Sequence, residues 1–129
     1  MCLSYVHSKE TMRGRTSKNL NAKEIVAWKV VRPVSRSPLY RTGRAYLKGD
    51  IVSQRSNSRK QFLQTCSGIQ YPCGLHLCLS RQGAREYKKL TNWEDALVVK
   101  VVVSQDDILA WGVDRGKLVL VVKCCRVIS

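Results

Sequence analysis

The apolar positions of this chain fall into short β-branched runs separated by polar, glycine- or proline-bearing stretches, and a single segment carries a helical period. Ile25-Val26-Ala27-Trp28-Lys29-Val30-Val31 reads as a first strand that stops at Arg32-Pro33, because proline cannot extend a central ladder. Pro33 to Pro38 is a loop. Tyr40 to Val52, with Gly43 and Gly49 around a Tyr/Leu stretch, reads as two short strands or one strand between turns. Ser53–Lys60 is a polar, basic loop, and Phe62–Thr65 is ambiguous. Gly74–Leu79 is a short strand entered through glycine. Ser80 then caps a helix over Arg81–Leu90, in which Ala84, Tyr87 and Leu90 make the apolar stripe. Leu97–Val103 is a near-continuous apolar run, the pattern of a strand covered on both faces. Ser104-Gln105-Asp106-Asp107 resembles a capping box that starts a short helical turn ending near Trp111-Gly112. Asp114-Arg115-Gly116 is a turn, and Lys117–Arg126 is the last strand. The expected fold is a small α+β domain, a mixed or antiparallel sheet with one main helix, over residues 24–129. Residues 1–23 show no apolar period and are expected to form a flexible basic arm.

Charge changes this picture most. The chain carries a formal net charge of +14 over 129 residues. Residues 1–60 hold fourteen Lys/Arg against three acids, a net of +11, whereas residues 61–129 hold nine against six, a net of +3. A surface this lopsided attracts a polyanion or an acidic protein through long-range forces that need no catalytic group. Arg13, Arg15, Lys18, Arg32, Arg36, Arg41, Arg44, Lys48, Arg55, Arg59 and Lys60 are the expected polyanion-binding residues, with Tyr40 and Tyr46 interleaved. Arginine forks grip phosphate in pairs of hydrogen bonds, and tyrosines stack on bases. No RNA-recognition, zinc-finger or helix-turn-helix signature accompanies them. The expected partner is nucleic acid or an acidic protein.

Six cysteines are many for 14.6 kDa, but no apolar run of signal-peptide length follows Met1, so the thiols are expected to be reduced in a cytosolic or nuclear setting rather than secreted. The longest apolar runs fall far short of the ~20 residues that span a bilayer.

Candidate chemistry concentrates in Cys73-Gly74-Leu75-His76-Leu77-Cys78-Leu79-Ser80, followed by Ala84 and Tyr87. This segment, with the upstream Tyr40-Arg41-Thr42-Gly43-Arg44-Ala45-Tyr46-Leu47-Lys48-Gly49, resembles an uncharacterised family of small proteins from phages and large DNA viruses. The resemblance covers roughly residues 25–128, with Leu77 and Ser80 where Phe and Thr are more usual. It implies a viral protein, an accessory or virion-associated component located in the host cytoplasm or nucleus or within the virion. It implies no particular chemistry, and neither a catalytic residue nor a cofactor is expected. One alternative is an enzyme: the glycine-flanked His76 is loosely similar to the NAD-handling pocket of ADP-ribosyltransferase-like folds, including the tRNA 2′-phosphotransferases. There Arg41 would hold a phosphate while His76 and Ser80 line the nucleotide pocket. The later strands supply no glutamate where that fold needs a catalytic carboxylate. The other alternative is zinc on Cys73, His76 and Cys78, since strand alternation sends His76 and Cys78 to one face.

Overall fold

The computed structural model describes residues 5–7, 23–38, 44–53, 62–64, 70–72, 74–92 and 95–129. Among these residues ten strands and one α-helix follow in the order β1 (Tyr5–His7), β2 (Glu24–Val31), β3 (Ile51–Ser53), β4 (Phe62–Gln64), β5 (Gln70–Pro72), β6 (Leu75–Cys78), α1 (Arg81–Leu90), β7 (Leu97–Ser104), β8 (Ile108–Asp114), β9 (Lys117–Val122) and β10 (Cys124–Val127). Eight strands form one antiparallel sheet in the order β1-β8-β9-β6-β2-β7-β10-β3, while β4 and β5 pair as a separate hairpin. The fold is α+β. Among the described residues no helix is long and apolar enough to cross a membrane.

The sheet rolls up on itself, and the chain shows why. Strands β9 and β10 are separated only by Lys123, yet β6, β2 and β7 lie between them in the sheet. Four inter-strand spacings in a flat sheet would be about 19 Å. Two consecutive Cα–Cα steps reach at most about 7.6 Å. The run β9-β6-β2-β7-β10 therefore closes into a small barrel, with residues 117–127 acting as one bent strand that belongs to both ends. The Lys123 amide, at the bend, donates to the Asp107 carbonyl at 2.8 Å and ties the bend to the turn before β8.

Closure gives the sheet an inside and an outside. Ile25, Ala27, Val31, Val52, Leu77, Val99, Val101, Val103, Ile108, Trp111, Leu120, Val122, Cys125 and Val127 form one buried cluster on the inner face, joined by Tyr46 from the loop before β3. The register agrees: Ile25 faces Val103, Ala27 faces Val101, and Leu77 faces Leu120. On the outer face α1 packs Ala84 and Tyr87 against Val30, Cys78 and Ala96. The Ser80 hydroxyl caps this helix by accepting the Gly83 amide at 2.9 Å, as its position before Arg81 suggests. Leu90, placed by its spacing on the apolar stripe, is exposed, and Gly83 is buried.

Within the expected arm, Tyr5–His7 pairs with Val113–Trp111 as an edge strand, and residues 1–4 and 8–22 lie outside the described set. Three other sequence expectations are corrected. The helical turn expected after Ser104 is a 3₁₀ turn of three residues, and Ile108 onward is strand β8. A register shift between Ile108 and Ala110 is the cause: it puts Ile108 and Trp111, three apart, on the same inner face, which imitates a helical period. The last strand, read as continuous, breaks at Lys123. In the segment from Tyr40 to Val52, residues 44–50 are irregular and strand structure starts at Ile51, with residues 39–43 outside the described set. The Asp114–Lys117 turn is as expected, a two-residue hairpin whose Arg115 and Gly116 both take positive φ, 52° and 80°.

Gly74 leads into β6 where nothing larger fits: a Cβ there would lie 2.7 Å from the Val122 carbonyl oxygen and 2.8 Å from Val121 Cγ1. Gly74→Ala should cost about 1–3 kcal/mol through overpacking. Gly116→Ala, strained at positive φ but open to solvent, should cost about 1 kcal/mol. Urea unfolding midpoints of the two variants check the order, and the reverse order would contradict the packing at β6.

Candidate functional site

The inner face is filled, so accessible chemistry lies on the outside. Successive residues of a strand alternate faces, and the register sets which outer residues become neighbours. Trp28 on β2 faces Lys100 on β7. One step along, Val26, Val102, Arg126 and Ile51 form a row across β2, β7, β10 and β3. Helix α1 covers Val30 and leaves this row open: Val26 is 40 % and Ile51 62 % exposed. The expectation that β7 is covered on both faces is thus corrected. Its inner residues Val99, Val101 and Val103 are buried, while Val98, Lys100 and Val102 on the outside are half-buried.

Cations border this open face. At about 100° per residue, Arg81, Arg85, Lys88 and Lys89 fall within an arc of about 100° on one flank of α1. Glu86 lies on the other flank, where it meets Lys117 of β9 at 3.5 Å. Arg81 overlooks β2 and β7, its guanidinium 5.7 Å from the centre of the Trp28 ring, whereas Arg85 and Lys89 lie opposite the buried Gly83, Ala84 and Tyr87 and face solvent. Lys100 Nζ approaches the same ring at 5.8 Å. Each such contact is worth about 0.5–1 kcal/mol at a solvent-facing site. At the far side Arg126 reaches Glu24 at 3.9 Å, with both side chains mostly exposed, an ion pair of little strength. The first turn of α1 contains Arg81 and no carboxylate, so the positive end of the helix dipole is not offset there. A surface of this kind offers an apolar, aromatic floor with positive charge within and beside it.

The residues chosen from sequence are dispersed. Arg32, Arg44 and Lys48 are exposed on the loops after β2 and before β3. Arg36 does a structural job: at φ 56° its Nε donates to the Tyr46 carbonyl and its Nη2 to the Ser129 carbonyl, both at 2.6 Å, which pins the loop that carries Tyr46. Arg13, Arg15, Lys18, Arg41, Arg55, Arg59, Lys60 and Cys73 lie outside the described residues. His76 and Cys78 do share the outer face, in register with Val121 and Val119, and both are buried. His76 Nδ1 lies 3.2 Å from the Gly74 carbonyl oxygen, an acceptor, so this bond requires Nδ1 to carry the proton. The Ser80 hydroxyl is committed to its cap. Among the described residues no group of three or more His, Cys, Asp or Glu comes together to hold a metal. Trp28, Arg81, Lys100 and Arg126 were not singled out from sequence as binding residues. The available signal was Lys100, a single cation inside the run Val98–Val103.

A second polar group sits at the inner face. Lys29, between Ala27 and Val31, donates from Nζ to the His76 carbonyl at 2.9 Å and lies 5.8 Å from the centre of the Tyr46 ring. The Tyr46 hydroxyl is buried without a hydrogen-bond partner among the described residues, and burial raises its pKa. Burial likewise pushes the Cys125 thiol from 9.0 up to about 12 and the Cys78 thiol up to about 11, with Lys29 opposing both shifts. The Cys124 thiol, half-buried, is raised by burial and then by its bond to the Asp107 carboxylate at 3.3 Å. Cys78, Cys124 and Cys125 are all free thiols.

These shifts fix a sign. The unfolded chain releases thiol protons above about pH 9 that the folded chain keeps, so this contribution to stability is whole below pH 9 and is lost as pH rises toward 11–12. Alkylation of the native protein at pH 8 should modify Cys124 before Cys78 and Cys125. Peptide mass mapping over time checks this, and equal rates at Cys124 and Cys125 would contradict the burial of the inner face.

Comparison of the chain with protein-family models, with curated proteins and with solved structures returns no match.

Proposed function

We propose that this chain is a non-enzymatic, polyanion-binding protein whose partner is nucleic acid, held by the basic flank of α1 and the cations beside it. The observation that carries this reading is the separation of charge on one short helix, with Arg81, Arg85, Lys88 and Lys89 on one side and Glu86, already paired with Lys117, on the other. A solvated helix with no partner gains from mixing its charges, since like charges one turn apart repel. Four cations on one flank instead raise a local positive potential that a phosphate chain relieves. Arg32, Arg44 and Lys48 extend the field from the loops, and Arg13, Arg15, Lys18, Arg41, Arg55, Arg59 and Lys60 extend it in sequence. The resemblance in the Tyr40–Gly49 and Gly74–Tyr87 segments supports a viral setting, in which the protein serves as an accessory or virion-associated component.

Phosphate binding releases condensed counterions, so affinity must fall with salt. With five engaged cations, the log–log slope of affinity for a short DNA duplex against salt should be about −4 to −5. Replacing Arg85, Lys88 and Lys89 together by Ala should flatten that slope by about 2 to 3. Fluorescence anisotropy over a salt series measures both. A slope near zero, or one unchanged by the triple substitution, would remove nucleic acid as the direct partner and leave an acidic protein as the occupant of these cations.

A further inference from the structure

We infer that the open outer face between α1 and β3 binds single-stranded nucleic acid, with an unstacked base lying on Trp28; this rests on the polyanion reading above and names its form. Three observations converge on the face. Its floor is formed by Trp28 and Val26 of β2, Val102 of β7 and Ile51 of β3; Val26 and Ile51 are substantially exposed, and Trp28, packed against the α1 cluster on one side, is partly exposed. Its cations stand beside and within that floor: Arg81 and Lys100 lie over the Trp28 ring, 5.7 and 5.8 Å from its centre, where an incoming phosphate can draw them off and free the ring for a base, and Arg126 stands in the row between Val102 and Ile51. Two carboxylates near it are already engaged: Glu24, one step beyond Val26 on β2, forms a weak, exposed pair with Arg126 at 3.9 Å, and Asp107 accepts from the Cys124 thiol. Apolar and aromatic surface with phosphate-binding groups within and beside it matches a strand whose bases are turned toward the protein and whose backbone runs past those cations.

The form of the polyanion follows from what each candidate exposes. A duplex keeps its base faces stacked inside and presents phosphates and base edges, so it can use the cations but not the floor. A single strand presents both. Helix α1 also stands as a ridge beside Trp28, and the foot of a ridge is reached by a flexible strand more readily than by a rigid cylinder. An acidic protein surface would use the same cations with no requirement that the residue between Arg81 and Lys100 be aromatic.

The test uses the full chain and three probes at one salt concentration: a single-stranded pyrimidine oligonucleotide of about ten nucleotides, a duplex of the same phosphate count, and inorganic polyphosphate of similar charge. The single strand should bind at least several-fold more tightly than the other two. Trp28→Leu, which keeps an apolar side chain but removes the ring, should weaken single-strand binding about 5- to 100-fold and leave polyphosphate binding unchanged. Trp28→Phe should restore most of the loss. If Trp28→Leu fails to melt cooperatively, Val26→Asp and Ile51→Asp at exposed positions of the same face carry the test, and each should weaken the single strand more than polyphosphate. Equal affinity for all three probes, with no effect of Trp28→Leu, would overturn the inference and leave the polyanion reading intact. Tighter binding of polyglutamate than of the single strand would replace nucleic acid by an acidic protein. Absence of binding to every polyanion would overturn both readings together.

Discussion

Val122 and Cys124 are two residues apart in the chain and four strands apart in the sheet, and the fold resolves that mismatch by closing. Because residues 117–127 serve both ends, the inner faces of β8, β9, β6, β2, β7, β10 and β3 converge on one volume. That volume is filled by valines, Trp111, Leu77 and Leu120, with Tyr46 entering from a loop held by Arg36. β-Branched residues suit this arrangement: they pack on a pleated surface with little rotamer freedom to lose. The interior is therefore committed to stability, apart from the Lys29 and Tyr46 polar groups near one another on that side.

Closure then decides what the outside can do. One helix covers part of the outer face, over Val30 and Cys78, and β5 lies against β8. Among the described residues, the stretch left open runs from Val26 and Trp28 of β2 over β7, β10 and β3. Helix α1 is amphipathic in two senses: Gly83, Ala84 and Tyr87 face the sheet, and its exposed surface is split into a basic flank and one with Glu86. The Ser80 cap fixes where the first turn begins, and so places Arg81 over Trp28. Capping, packing and charge thus combine to set a cationic wall beside an apolar floor.

Much of this was legible in the sequence. Ile25–Val31, Gly74–Leu79, the Ser80-capped helix, Leu97–Val103 and the Asp114–Gly116 turn were all readable from local pattern, because each depends on propensity, capping or turn chemistry acting over a few residues. The common face of His76 and Cys78 followed from alternation alone. The misses share a different origin. The irregularity between Ile108 and Ala110 and the bend at Lys123 each reset the strand period, and the pairing partners that cause them are distant in sequence. The run Leu97–Val103 revealed an apolar strand but not which side α1 would cover, since that depends on where the helix docks. For the same reason the site was half visible: Lys100 stood out within its run, but its pairing with Trp28 and its approach to Arg81 come from register and helix placement. Positive charge is densest over residues 1–60, whereas the described structure gathers cations around α1 from the less basic half of the chain.

The most direct test of this account is a map of the bound surface. Amide resonances of the protein in solution, followed during titration with a single-stranded oligonucleotide, should shift at Val26, Trp28, Arg81, Lys100, Val102, Arg126 and Ile51. Those of Leu77, Trp111 and Leu120 on the filled inner face should stay in place. Shifts confined to the loops carrying Arg32, Arg44 and Lys48, with the outer face of β2, β7 and β10 unmoved, would contradict it.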